Sequence, residues 1–231
     1  MLAVVAVAVV VAGGIALLHT SFFSARVVTV TGAHPHTSIT TIEVAAGLNH
    51  RPPLISVDPG AVARRVETLP FIASAQVHRH WPDGVQIAVT ERVPVLQMAG
   101  PSTSWSTLDG QGRTLEVRPA RAPGLLVLIV HTPTGGVPPA GVGNTLPSVA
   151  DVGLTVCRTL PTAFSAQVVS VTVAADSTVT LALNSGLTVL VGTDADLTAK
   201  YEDVAAIIAN GSLRGAKTID VTVPQSPTVG R

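Results

Sequence analysis

Two histidine pairs are the side chains whose type and spacing come nearest to a metal site in this sequence. His78 and His80 are two residues apart in an alternating segment, so both would lie on one face of a strand and could chelate a metal ion if a third ligand converged. His34 and His36 flank Pro35, which indicates a solvated loop. No third ligand follows nearby in the sequence, so neither pair predicts a metal or cofactor site.

A group of acidic residues near the C-terminus has the spacing of paired carboxylates for acid–base work. The group comprises Asp194, Asp196, Glu202 and Asp203. Their positions in a predicted helix favour instead an interaction with the helix dipole and an ion pair between Asp196 and Lys200. Cys157 is the only cysteine, which excludes an internal disulfide, and its apolar helical surroundings indicate a buried small side chain.

No common catalytic motif is present in the sequence. A G-x-S-x-G elbow, a phosphate-binding G-x-x-x-x-G-K loop, an H-E-x-x-H helix and a G-x-G-x-x-G turn between a strand and a helix are all absent. Acidic and basic residues balance at 14 each, so the chain lacks the field of one sign that attracts nucleic acid. The sequence predicts neither an enzyme nor a nucleic-acid-binding protein.

The first 23 residues are predicted to form a transmembrane helix. The run from Leu2 to Leu18 carries no charged or strongly polar side chain, and its continuation through Phe23 brings it close to the ~20 residues that a membrane-spanning helix needs. A cleaved signal peptide is the alternative. The small-x-small pattern of a cleavage site fails at Ser24 and at Ala25, which favours a retained anchor.

Residues 24–93 have the pattern of a small α+β domain. A β-branched run is followed by two helices and then by two alternating segments joined by the turn Trp81-Pro82-Asp83-Gly84. A capping box between Thr40 and Glu43 predicts the start of the first helix. The alternation places three residues of the first hairpin strand on one face, namely Ala73, Ala75 and Val77. The order strand, helix, helix, strand, strand predicts two helices covering one face of a three-stranded sheet.

Residues 94–224 have a different sequence pattern, in which short predicted strands are separated by glycine and proline. Strands are predicted at 105–108, 114–117, 168–173, 179–183, 187–191 and 218–223. Helices are predicted at 148–160 and 194–209, and the stretch 133–147 reads as a loop. The sequence therefore predicts a mixed, mainly antiparallel β domain with two helices, followed by a flexible tail at 225–231.

Three segments form a distinctive pattern when they are taken in order. They are Val28-Thr29-Val30-Thr31-Gly32, the hairpin Arg79-His80-Trp81-Pro82-Asp83-Gly84-Val85-Gln86-Ile87, and Glu91-Arg92-Val93-Pro94. Together they resemble the FtsQ/DivIB family of bacterial cell division proteins, whose hairpin motif falls on Trp81, Pro82, Glu91 and Arg92. Similarity continues through Ile219-Asp220-Val221, so the resemblance covers nearly the whole chain.

The resemblance implies a fold, a location and a role. Members of the family consist of a membrane helix, a POTRA domain and a β domain, which assigns residues 1–23, 24–93 and 94–224 to these parts. We expect a single-pass type II protein of the cell (inner) membrane, with both domains outside the cytoplasm at the division septum. By the same resemblance, the chain is a scaffold for septum assembly without a reaction or cofactor of its own, and its POTRA domain helps to recruit it.

The resemblance also implies a partner and a binding strand. The late strand of the β domain is expected to pair with FtsB of the FtsB–FtsL complex and, through it, to reach the septal peptidoglycan synthesis machinery. An edge strand suits this role because it presents unpaired N–H and C=O groups. The expected binding residues are Ile219, Asp220, Val221, Thr222 and Val223. Many relatives have a basic and an aromatic residue after the aspartate, whereas this chain has Thr222 and Val223.

Two other classes of protein remain as alternatives. The first is a POTRA-containing component of outer-membrane assembly or secretion. Such proteins continue into a long series of barrel strands, and the roughly 140 residues after Pro94, with two helices, do not fit that pattern. The second is a secreted enzyme with an unrecognised site, which would appear free in the medium rather than in a membrane fraction.

Overall fold

The chain consists of two compact units, Met1–Arg92 and Val93–Arg231. The computed structural model describes residues 1–18, 20–32, 36–210, 213, 215–224 and 226–230. His34, one member of the His34/His36 pair, and Pro35 between the two histidines lie outside the described residues.

The first helix, α1, spans Leu2–Leu18 and has 17 residues. After it, a 3-10 turn occupies Ser21–Phe23 and the chain becomes extended at Ser24. Among the described residues, no helix is both long enough and apolar enough to cross a membrane. The transmembrane helix predicted over residues 1–23 is therefore not found.

The first unit contains the predicted strand, two helices and hairpin. After α1, its elements are β1 (Val27–Thr31), α2 (Ile39–Ala46), α3 (Pro59–Val66), β2 (Ile72–His80) and β3 (Gly84–Glu91). β3 is the central strand, with β1 parallel on one side and β2 antiparallel on the other. Both helices contribute buried side chains to the same core as the sheet, which confirms the predicted α+β arrangement.

Short polar contacts determine where the two helices of this unit begin. Ser38, not Thr40, is the N-cap of α2, since its hydroxyl accepts from the N–H of Thr41. The predicted capping box is therefore wrong by two residues. At α3 the carboxylate of Asp58 accepts from the N–H of Gly60, as the Asp-Pro sequence indicates.

The hairpin strand β2 departs from simple alternation at its beginning. Its register against β3 shifts between Ile72 and Ser74, so Ile72 and Ala75 are buried while Ala73 is exposed. The prediction that Ala73 shares a face with Ala75 is wrong because this irregularity adds one residue to the strand.

The second unit is built around one large mixed sheet. Its strands are β4 (Leu96–Ala99), β5 (Trp105–Leu108), β6 (Thr114–Arg118), β7 (Leu126–Thr132), β8 (Gly135–Gly136), β9 (Val168–Val173), β10 (Val179–Leu183), β11 (Thr188–Gly192), β12 (Thr218–Asp220) and β13 (Thr228–Gly230). The order across the sheet is β13-β12-β11-β10-β9-β7-β4-β5-β6, and β8 pairs with β7. The pairs β4–β7, β7–β9 and β11–β12 are parallel, whereas the other pairs are antiparallel. The predicted mixed, mainly antiparallel sheet is confirmed.

In the described part of this unit, three α-helices accompany the sheet instead of the predicted two, because the short α5 follows α4: α4 (Asp151–Thr159), α5 (Thr162–Ser165) and α6 (Leu197–Ala209). α4 and α6 contribute buried residues to the core that contains the central strands. Gly153 of α4 lies against the sheet so closely that a Cβ at this position would be 2.6 Å from Val173 Cγ2 and 3.0 Å from Leu128 Cδ1. The absence of a side chain at Gly153 therefore sets how near α4 approaches β7 and β9.

Replacement of Gly153 by alanine is expected to destabilise the second unit by about 1–3 kcal/mol. The added methyl group would overlap Val173 and Leu128, which are buried and cannot move away without disturbing the sheet. Chemical denaturation followed by a probe in this unit measures the effect. The matched control is Gly60→Ala in α3, where the nearest atom to an added Cβ is 3.5 Å away. Equal stabilities of the two variants would contradict the packing role of Gly153.

Candidate partner-binding edge

Strand β12 carries the first of the predicted partner-binding residues and lies near one end of the large sheet. It pairs in parallel with β11, with Ile219 opposite Val189. Just beyond the strand, the N–H of Val221 donates to the C=O of Leu190 at 3.0 Å, so the contact with β11 extends one residue further. Ile219 and Val221 are both fully buried in the core. Their side chains are therefore committed to the fold and are not available to a partner.

The other side of β12 is occupied by the chain's own C-terminal segment. β13 pairs antiparallel with β12, with Thr218 opposite Gly230, Ile219 opposite Val229 and Asp220 opposite Thr228. The expectation that Thr218–Val223 forms the edge of the sheet is therefore wrong, since the outermost strand at this end is β13. The expectation of a flexible tail at 225–231 is also wrong for Thr228–Gly230, because its backbone groups find partners on β12.

A compact turn ends β12 after Asp220. One carboxylate oxygen of Asp220 accepts from both the N–H of Thr222, at 2.9 Å, and its hydroxyl, at 2.6 Å. These hydrogen bonds hold the pKa of Asp220 below its ordinary value because they favour the charged carboxylate. The bond from the Thr222 hydroxyl has the larger effect, and the bond from the Thr222 N–H has the smaller one. The turn directs Thr222 and Val223 out of the sheet, where both side chains are exposed.

The last residue of β11 and the loop that follows it support this turn. Gly192 has a φ of 72°, and a Cβ at this position would be 2.9 Å from Thr222 Cγ2. Lys200 of α6 is only 2% exposed, and its ammonium donates to the C=O of Thr193 at 2.9 Å. Burial lowers the pKa of Lys200, and the negative charges of Asp196 and Asp194 oppose that shift. Lys200 thus fixes the residue that directly follows Gly192, against which Thr222 lies.

The residues of the predicted hairpin motif occupy opposite ends of the β2–β3 hairpin. Trp81 and Pro82 form its turn, joined by a cis peptide bond, and the Trp81 ring meets the ring of Phe23 at a centroid distance of 6.1 Å. Glu91 and Arg92 lie at the other end, because Glu91 pairs with Ile72 whereas the turn follows His80. The structure therefore does not bring the four residues into one site.

Glu91 and Arg92 make contacts that tie the end of β3 to its surroundings. The Glu91 carboxylate lies 3.6 Å from Nδ1 of His36, whose ring stacks on Phe71. Arg92 donates to the backbone at the start of β2, from its N–H to the C=O of Phe71, just before the strand, at 2.7 Å and from Nε to the C=O of Ile72, its first residue, at 3.2 Å. These contacts stabilise the first unit.

The histidine, cysteine and acidic side chains that were considered as metal ligands or catalytic groups are not assembled into one site in the part of the chain that the structure describes. His80 exchanges a hydrogen bond with Gln86 at 3.0 Å, and no group of three potential metal ligands occurs among the described residues. Burial raises the pKa of the Cys157 thiol to about 12, so the reactive thiolate is disfavoured. α6 begins at Leu197, so Asp194 and Asp196 precede the helix instead of forming its first turn.

Family models match both units of the chain. The description of the first is the FtsQ-type POTRA domain, over residues 23–92, and that of the second is the C-terminal region of cell division protein FtsQ/DivIB, over residues 100–222. The chain belongs to the FtsQ/DivIB family. The match to this family confirms the resemblance inferred from the hairpin motif. It identifies residues 23–92 as a POTRA domain and the chain as a cell division protein.

Individual relatives agree with the FtsQ/DivIB assignment over nearly the whole chain. Cell division protein FtsQ of Mycobacterium tuberculosis is 31% identical over 234 residues, which cover 99% of this chain and 68% of that protein. FtsQ of Mycolicibacterium smegmatis is 32% identical over 221 residues, covering 95% and 61%. FtsQ of Streptomyces collinus is 31% identical over 227 residues, covering 96% and 84%.

The sequence prediction missed β13 although a local signal for it exists. Thr228 and Val229 are β-branched and are bounded by Pro227 and Gly230, which is the pattern of a very short strand. A run of this length is too short to be recognised by alternation. Its pairing is visible only once β12 is placed beside it.

Asp220→Ala is expected to loosen the turn after β12 and to cost less than about 1 kcal/mol at neutral pH, because the carboxylate is largely solvated. Since the folded-state pKa of Asp220 is lowered, its contribution is present above the ordinary aspartate pKa and is lost as the pH falls through the lowered value. The variant and the parent protein should therefore converge in stability in acid. Amide exchange at Thr222 and Val223 measures the local effect.

The chain provides a matched control for this change. Asp176 accepts in the same way from the N–H and the hydroxyl of Thr178, in the turn between β9 and β10. Asp176→Ala should leave the amide exchange of Thr222 and Val223 unchanged. Faster exchange at these two residues in both variants would show that the Asp220 turn does not act locally.

Proposed function

We propose that this FtsQ/DivIB protein acts as a divisome scaffold that binds an FtsB–FtsL complex at the β12 end of its large sheet. The observation that carries the proposal is the arrangement around β12: the buried side chains of Ile219 and Val221 fix this part of the chain in the core, and Thr222 and Val223, which follow, are exposed. Backbone pairing with an incoming strand would give affinity, and neighbouring side chains would give specificity. Through FtsB–FtsL the scaffold would reach the septal peptidoglycan synthesis machinery.

Within the predicted binding segment, different residues have different parts in this proposal. Ile219 and Val221 hold the strand in place, and Asp220 forms the turn that ends it. Thr222 and Val223 are the exposed members, so they are the side chains that a partner would contact. Val223 is 56% exposed and apolar, which suits it to receive an apolar side chain of the incoming segment.

A scaffold of this kind carries no reaction of its own. The buried thiol of high pKa, the hydrogen-bonded His80 and the structural contacts of Glu91 and Arg92 all support that proposal. The POTRA domain would recruit the chain to the division site.

We further propose that the N-terminal apolar segment attaches the chain to the cell membrane, with both domains outside the cytoplasm. α1 contains no acidic or basic residue, and its valine side chains at positions 4, 5, 7, 9, 10 and 11 are exposed. An exposed apolar surface of this kind is stable only when lipid or protein covers it.

Val223→Glu is expected to weaken binding of FtsB–FtsL about tenfold, because an apolar contact of roughly 1.4 kcal/mol would be replaced by a charge that needs water. Isothermal titration of the full chain in detergent with the purified FtsB–FtsL complex of the same organism measures this effect. The matched control is Val117→Glu on β6, the strand at the other end of the sheet, where the valine is 54% exposed. Val117→Glu should bind like the parent protein.

Two results would contradict the proposed function. If the parent protein does not bind FtsB–FtsL at all, the partner is wrong. If Val117→Glu weakens binding and Val223→Glu does not, the partner is right but binds at the β6 end of the sheet.

Replacement of Val7 and Val10 by aspartate is expected to release the chain from membranes, because α1 would then have to bring two charges into the apolar layer that its exposed valines contact. Fractionation of cells followed by carbonate extraction provides the measurement. The matched control replaces Val44, an exposed valine of α2 in the POTRA domain, by aspartate. Recovery of the parent protein, the Val7/Val10 variant and the Val44 variant in the same fraction would exclude membrane attachment through α1.

A further inference from the structure

We infer that β13 is a resident strand that an incoming partner strand displaces from β12. The inference rests on the proposed function and concerns the regulation of the same site. Its basis is the position of Thr228–Gly230, which forms an antiparallel pair along the outer side of β12. An incoming strand that is to pair with β12 itself needs the backbone groups that β13 now uses.

The contacts of β13 are confined to a short ladder. Among the described residues, three residue pairs join it to β12, and one further hydrogen bond runs from the N–H of Lys217 to the C=O of Gly230 at 2.9 Å. Thr228, Val229 and Gly230 are all exposed, and none belongs to the buried core. A strand held by so few contacts is expected to open while the rest of the sheet stays folded.

β12 does not depend on β13 for its own position. Ile219 and Val221 are fully buried in the core, and the parallel pairing with β11 holds the inner side of the strand. Removal of β13 would therefore leave a formed strand with an unpaired outer side. Such a side is the template that β-augmentation requires.

The alternative is that the partner adds outside β13 as a further strand. In that arrangement β13 would need to stay in place, and a partner would pair with a strand whose residues are all exposed and contribute nothing to the core. Displacement instead gives the partner direct access to β12 and to the exposed Thr222 and Val223 that follow it. The two arrangements predict opposite effects of fixing β13.

A reversible covalent bond between β12 and β13 tests the inference. A Cβ at Gly230 would lie 3.6 Å from the Cβ of Thr218, which is within the ~3.5–4.5 Å that a disulfide needs. The full-length variant Thr218→Cys/Gly230→Cys is made with Cys157→Ala, so that only the new pair can oxidise. Binding of the FtsB–FtsL complex is then measured for the oxidised and the reduced forms.

Displacement predicts that the oxidised form loses binding and that reduction restores it to the parent level. Equal binding by both forms would overturn the inference while leaving the proposed function intact. Absence of binding by the reduced form and by the parent protein would instead overturn the proposed function. The Thr218→Cys single variant, treated with the same oxidant, controls for effects of oxidation elsewhere.

A second full-length variant weakens the pairing of β13 with β12 instead of locking it. Thr228→Pro/Gly230→Pro removes two N–H donors from β13, and the matched control Thr228→Ala/Gly230→Ala keeps them. If displacement is required, the apparent affinity for FtsB–FtsL should rise on the order of tenfold in the proline variant only, because the competent state no longer has to be formed first. A lower affinity of the proline variant would support addition outside β13 and overturn the inference.

Discussion

The hydrogen-bonding needs of β12 determine the architecture at the C-terminal end of the large sheet. Its inner side is satisfied by the parallel pairing with β11, and its buried residues Ile219 and Val221 prevent it from leaving the core. Its outer side would be an open row of N–H and C=O groups, and the chain's own segment Thr228–Gly230 covers it. The outer side of β12, where the proposed partner strand would pair, is therefore already paired with the protein's own β13.

The neighbouring parts of the second unit serve to hold this strand end in one conformation. The Asp220 carboxylate closes the turn on Thr222, and Thr222 rests against Gly192, where no side chain intervenes. The buried Lys200 fixes the same loop through the C=O of Thr193. A strand whose backbone is preorganised in this way loses little conformational entropy when a partner pairs with it.

Local patterns in the sequence were sufficient to predict most elements but not their neighbours in space. The β2–β3 hairpin followed from alternation on both sides of Trp81-Pro82-Asp83-Gly84, except that a register shift exposed Ala73. The buried central strand β7 was not predicted, because a continuous apolar run gives no alternation. β13 was not predicted because its pairing joins residues that no local pattern relates. The proposed partner-binding segment comes from the family resemblance alone, and its place beside β13 required the structure.

Amide hydrogen exchange of β12 and β13, in the free protein and in its complex with FtsB–FtsL, tests the central claim most directly. The account predicts that Thr218–Asp220 remain protected or become more protected in the complex, while Thr228–Gly230 exchange faster because they have left the sheet. Stronger protection of Thr228–Gly230 on binding, or new protection confined to Thr114–Arg118 at the opposite end of the sheet, would contradict it.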